Sequence, residues 1–114
     1  MDIKVEVISV DEVIAVVEIG GEMDVFTSPA IKKKVTEVID SGRRFIIMDL
    51  GGVTYIDSTG LGLLISILKR VREKEGDLKI VGVTKQVQKV LDITGLNKIL
   101  EIKSNVGEAI KDWH

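Results

Sequence analysis

Asp57, Ser58 and Thr59 are the residues of this 114-residue chain best placed to do chemistry. They stand between an apolar stretch, Phe45 to Leu50 continued through Gly51 and Gly52, and an apolar-periodic stretch from Leu61 to Val71. The first reads as a strand and the second as a helix, so Asp57 and Ser58 fall at a helix N-terminus. Four unpaired N–H groups and roughly half a positive charge collect at such an end, which suits a capping oxygen or an anion. Asp and Ser are preferred capping residues, so capping alone can account for the pair. Gly60 and Gly62 add something that capping does not explain. Each costs about 1 kcal/mol relative to Ala in a helical turn, and a sequence that keeps both needs another surface close to the backbone.

Other chemistries lack their parts. A serine nucleophile needs a base to take its proton, and the only histidine is His114, the last residue, expected to fray. No Gly-x-x-x-x-Gly-Lys-Ser/Thr loop is present, and Gly60-Leu61-Gly62 is too common a triplet to mark a nucleotide site. Asp24 and Asp57 are two carboxylates without a third ligand, a poor cage for a divalent cation. With no cysteine, thiolate metal sites and disulfides are excluded. The expectation is therefore a protein that is not an enzyme and holds no cofactor or metal.

The elements that position these residues can be read in order. Ile3, Val5 and Val7 alternate with polar residues as in an edge strand, and Val13 to Ile19 reads as a strand covered on both faces. The short link between them predicts a hairpin. Gly20 to Pro29 reads as a loop, with Ser28 as capping hydroxyl and Pro29 at the first helical position. Ala30, Ile31, Val35, Val38 and Ile39 give a helix that Ser41-Gly42 closes, and Lys32, Lys33 and Lys34 lie on its solvated side. Phe45 to Leu50 is the most apolar run and predicts the central strand. After the helix that starts near Leu61 and ends at Gly76-Asp77 come a strand over Leu78 to Val83, a short helix over Val87 to Ile93, a strand over Ile99 to Ile102, and a C-terminal helix marked by Val106, Ala109, Ile110 and Trp113.

The order is ββαβαβαβα over residues 1–114, which predicts one α/β domain with a mixed sheet of four to five strands and about four helices. Loops at the carboxyl ends of parallel strands carry the function in such folds. The loops holding Asp24, Asp57-Ser58 and Thr84-Lys85-Gln86 then open on one edge.

Composition narrows the partners. A net charge of −2 from interspersed charges, with aromatics at 4% and no basic stripe, argues against nucleic acid. No signal sequence or twenty-residue apolar span is visible, so a cytoplasmic protein without membrane contact is expected. The edge strand at Ile3 to Val7 could pair between chains, but the free protein is expected to be a monomer.

Three segments together resemble the STAS domain: Gly21-Glu22-Met23-Asp24 after a strand, Val53-x-Tyr55-Ile56-Asp57-Ser58-Thr59-Gly60-Leu61-Gly62 before a helix, and Val90-Leu91-Asp92-Ile93-Thr94-Gly95-Leu96 before a strand. Within that family the short form most resembles the bacterial anti-sigma factor antagonists. The resemblance implies that the unphosphorylated protein binds an anti-sigma factor and so releases a sigma factor. It also implies that the anti-sigma factor is an ATP-dependent serine kinase with Ser58 as acceptor, and that a metal-dependent serine/threonine phosphatase resets it. Met23 and Thr59 stand where many relatives carry Leu and Ser, and Thr59 is a second candidate acceptor. The expected docking edge comprises Asp24, Val25, Asp57, Ser58, Thr59, Gly60, Leu61 and Gly62, with the two carboxylates orienting Ser58. An alternative keeps the fold as a module that senses a small ligand or nucleotide at the same helix end.

Overall fold

Branched and aliphatic stretches pair into one mixed sheet in the computed structural model, which describes residues 3–113. Its strands are β1 (Ile3–Ser9), β2 (Ile14–Met23), β3 (Phe45–Ile56), β4 (Asp77–Val81) and β5 (Glu101–Lys103). Its helices are α1 (Ser28–Asp40), α2 (Ser58–Glu73), α3 (Lys85–Thr94) and α4 (Val106–Lys111), with a 3-10 turn at Leu96–Lys98. The strands lie side by side in chain order, β1 antiparallel to β2 and the rest parallel. The predicted order, the hairpin, the edge position of β1 and the central position of β3 all hold.

Each parallel crossover steps one strand in the same direction, and right-handed crossovers then put α1, α2 and α3 on one face. The main core forms there, from Ala15, Val17 and Ile19 of β2, Ile46, Met48 and Leu50 of β3, and the buried sides of α1 and α2. On the opposite face Ile14 and Val16 of β2, Ile47 of β3 and Val81 of β4 form a second cluster, covered by Ala109 of α4 with Val106, Ile110 and the following Trp113 packed around it. That is why β2 reads as an unbroken apolar run.

Two expectations are corrected. Gly20-Gly21 does not open a loop: β2 continues to Met23, and β3 continues through Gly51-Gly52 to Ile56. The pairing register shifts between Glu18 and Gly20 and again between Gly21 and Glu22, so the glycines mark bulges. They also let the strands meet closely, because a Cβ on Gly52 would lie 3.0 Å from Gly20 Cα. Strand boundaries elsewhere move by a few residues: β4 ends at Val81, and β5 starts at Glu101. The second correction concerns the cap of α1. Thr27, not Ser28, takes the capping position; Ser28 is the first helical residue, buried, ahead of Pro29. His114 lies outside the described residues.

Lys79 on β4 is 2% exposed, a burial that the alternation Leu78-Lys79-Ile80 does not announce. Its Nζ donates to the Ala109 carbonyl at 2.9 Å, approaches Asp112 and Glu101 at 3.3 Å each, and sits 4.4 Å from the centre of the Trp113 ring. Trp113 in turn packs on Phe45 with ring centres 5.2 Å apart. Lys79 thus ties α4 to the sheet. A hydrogen bond from Lys103, then one from Lys79, holds the Asp112 carboxyl below its ordinary range, and Asp112 raises Lys103. A depressed carboxyl contributes stability above its unfolded pKa and loses it as pH falls through the folded value; the raised lysine loses its contribution as pH rises through its own. Acidification below about pH 4 is therefore expected to loosen α4 and shift the emission of Trp113, the single tryptophan, to the red. Asp112→Asn should show the shifted emission already at neutral pH.

Candidate functional site

The carboxyl ends of β2, β3 and β4 carry their loops on one edge, as parallel pairing requires. After β2, Asp24 organises a tight turn. Its Oδ1 accepts from the Phe26 amide at 2.9 Å and the Thr27 amide at 3.0 Å, and lies 3.2 Å from Thr27 Oγ1. Thr27 Oγ1 accepts from the Asp24 amide at 3.0 Å and lies 2.6 Å from the Glu22 carbonyl, to which it donates. This closed network holds Val25 and Phe26 outward, 55% and 76% exposed.

After β3, Asp57 caps α2. Its Oδ1 accepts from the Gly60 amide at 3.0 Å, satisfying one of the orphan donors of the first turn. The Asp57 amide donates to the Met23 carbonyl at 3.0 Å, which ties the mouth of α2 to the end of β2 and brings the Asp24 turn beside it. Ser58 and Thr59 follow, both exposed. After β4, Thr84 caps α3 by accepting from the Val87 amide at 3.2 Å and lies 3.3 Å from the Val53 carbonyl.

The two glycines of α2 play opposite parts. A Cβ on Gly60 would lie 2.7 Å from the Met23 carbonyl oxygen and 2.8 Å from Ile56 Cγ1, so this glycine lets the helix press on the strand ends. A Cβ on Gly62 would meet nothing within 4 Å. Leu61, expected to offer an apolar contact, is 9% exposed and belongs to the core, whereas Val25 and Phe26 stand outward. The carboxylates do not orient Ser58 by hydrogen bonding: Asp24 and Asp57 spend their bonds on backbone amides. Their part is to shape the two loops and to set negative charge beside the hydroxyl. Among the described residues no group of three His, Cys, Asp or Glu side chains is arranged to hold a metal, and no helix is long and apolar enough to cross a membrane.

The family model of the STAS domain matches residues 4–109. The chain belongs to the STAS domain family. This STAS domain is 34% identical over 102 residues to the anti-sigma-B factor antagonist of Staphylococcus aureus, covering 90% of this chain and 94% of that one. That likeness places it in the anti-sigma factor antagonist group. The crystal structure of an anti-sigma factor antagonist from Mycobacterium paratuberculosis superposes with a TM-score of 0.86 at 23% identity, over 97% of this chain and 93% of that one. The unphosphorylated form of the antagonist SpoIIAA superposes at 0.81 with 22% identity, over 96% and 95% of the two chains. The phosphorylated form of the same Bacillus cell-fate determinant superposes at 0.74 with 20% identity, over 97% and 100%. These three structures share the fold.

Phe26 is the exposed residue of this STAS domain's edge that sequence reasoning passed over. An isolated aromatic in a short polar loop has no periodicity to flag it. The spacing of Asp24 and Thr27 was the available signal, because an Asp that can cap its own turn forces the residues between outward.

Proposed function

We propose that this STAS domain is a cytoplasmic anti-sigma factor antagonist and a regulatory binding protein. In its unphosphorylated form it binds a kinase-type anti-sigma factor through the edge that carries Phe26 and Ser58, and a sigma factor is released. Phosphorylation of Ser58 ends the interaction. The observation that carries this reading is the placement of Ser58: exposed, next to the capping carboxylate of Asp57, at the mouth of α2. A kinase can reach its hydroxyl, and the fold does not need that hydroxyl for a bond. Transfer moves the γ-phosphoryl of ATP to Ser58 Oγ, releasing ADP and the hydroxyl proton. A metal-dependent phosphatase returns the serine by hydrolysis.

The new phosphate brings about −1.5 to −2 charges at pH 7. The helix end favours it by roughly 0.3–1 kcal/mol, so the fold survives. The docking edge changes, because Asp57 and the Asp24 turn already make it negative. A partner must then desolvate a larger anionic cluster. Incubation with candidate anti-sigma factor kinases and ATP, followed by mass mapping, tests the reading. A phosphate on Ser58 is expected, and one placed only on Thr59 or on another element would overturn the assignment.

Phe26, rigidly displayed and exposed, has the character of a docking anchor. Phe26→Ala is expected to weaken binding of the anti-sigma factor by roughly tenfold or more, the scale of an aromatic hot spot. The thermal midpoint should stay within about 1–2 °C of wild type, as surface truncations away from special features cost little. Calorimetric titration beside a melting curve separates the two effects.

A further inference from the structure

We infer that the groove between α1 and α2 receives an apolar side chain of the anti-sigma factor, from a segment that also carries a carboxylate. The inference rests on the function proposed above and adds the partner's chemistry to it. The groove has a volume of about 420 Å³ and adjoins the phosphorylation site, since Thr59 lines it. Val25, Pro29 and Leu63 give it apolar walls.

Gly62, also on its lining, is a glycine that the fold does not require. It lies inside α2, its φ is not positive, and a Cβ there would meet no neighbour. Glycine is a poor helix former, so the chain forgoes helix stability at this point and keeps backbone open toward the groove. Gly60, two residues earlier, has an internal reason and Gly62 has none.

A second observation is independent of the glycine. Ser28 lines the groove and is 5% exposed, yet its Oγ has no hydrogen-bond partner among the described residues. A buried hydroxyl without a partner is destabilising; Ser28 Oγ is shielded as the groove stands, and a turn of the side chain toward the groove would let a backbone group of an incoming segment complete it. The charge requirement comes from Lys32, which lines this groove and its continuation along α1 and α2 toward Lys69. Among the described residues neither lysine enters an ion pair within 4.0 Å. An aliphatic or aromatic side chain flanked by Asp or Glu fits this lining.

The experiment uses Gly62→Leu and Ser66→Leu, which each fill the groove from an exposed position on α2, titrated with the kinase that phosphorylates wild type on Ser58. Both variants are expected to bind roughly tenfold or more weakly, with melting midpoints equal to or above wild type. If both bind within about twofold of wild type while Ser58→Asp does not bind, the groove is overturned and the switch stands. If Ser58→Asp binds like wild type, the function proposed above fails and takes this inference with it. Decanoate serves as a small amphiphilic probe: saturable binding that Gly62→Leu abolishes, with kinase affinity unchanged, would assign the groove to a small carboxylate and overturn the inference. If one leucine variant misfolds, the other decides.

Discussion

Ser58→Asp is expected to lower affinity for the anti-sigma factor by about 100-fold or more, equivalent to roughly 2.7 kcal/mol. The substitution adds a permanent negative charge at an exposed helix end, next to Asp57 and close to the turn that Asp24 organises. Folding should be untouched, because the added charge sits where the N–H groups of the first turn favour it. The midpoint of thermal unfolding is therefore expected to stay within about 2 °C of wild type while the binding isotherm collapses. Ser58→Ala separates charge from contact: it should bind like wild type and take no phosphate. Raising the salt should recover part of the Ser58→Asp loss, since exposed charges are screened over about 8–10 Å at physiological ionic strength. An unchanged affinity for Ser58→Asp would sink the electrostatic switch.

Gly60→Val is expected to be the most damaging change at the edge, with a loss of at least about 3 kcal/mol of folding stability, the upper range for overpacking a closed site. The contacts at 2.7 and 2.8 Å are to a backbone carbonyl and to a core side chain, neither of which can swing away. Relief requires α2 to lift from the ends of β2 and β3, which also breaks the bond from the Asp57 amide to Met23. The same turn offers its own control. Gly62→Ala should gain about 0.5–1 kcal/mol, because it adds helix propensity in open space. Urea titrations of the two variants should move the midpoint in opposite directions. A Gly60→Val protein as stable as wild type would mean that the helix is not pressed against the strands.

Periodicity carried most of the fold. Alternation in β1, the unbroken apolar run of β2 and the helical spacing of Ile31, Val35, Val38 and Ile39 each report a local backbone choice, and the short links limit how those elements can pair. The failures occurred where local chemistry had two readings. Gly20, Gly21, Gly51 and Gly52 looked like punctuation, but facing glycines also let two strands bulge and touch. Ser28-Pro29 looked like a helix cap, yet Asp24 three residues before Thr27 had already fixed the chain's entry. At the site, Ser58, Thr59 and Val25 are exposed, while Leu61 is buried at the head of the apolar period that continues through Leu64, Leu68 and Val71, and the same period that predicts this burial leaves it unavailable as an outward contact. Phe26 and the buried Lys79 depend on what lies across space, the first on a turn that ejects it and the second on α4 folding over it.

The unpermuted strand order has a consequence for how the protein is made. Each strand leaving the ribosome finds its neighbour already in place, so the sheet can grow vectorially from β1 toward β5 without waiting for a distant segment. The exception is the patch of Ile14, Val16, Ile47 and Val81, which stays bare until the last helix emerges. A nascent chain is therefore sticky on that side until synthesis reaches Ala109, and premature termination before that residue should yield aggregation-prone fragments rather than a smaller working switch.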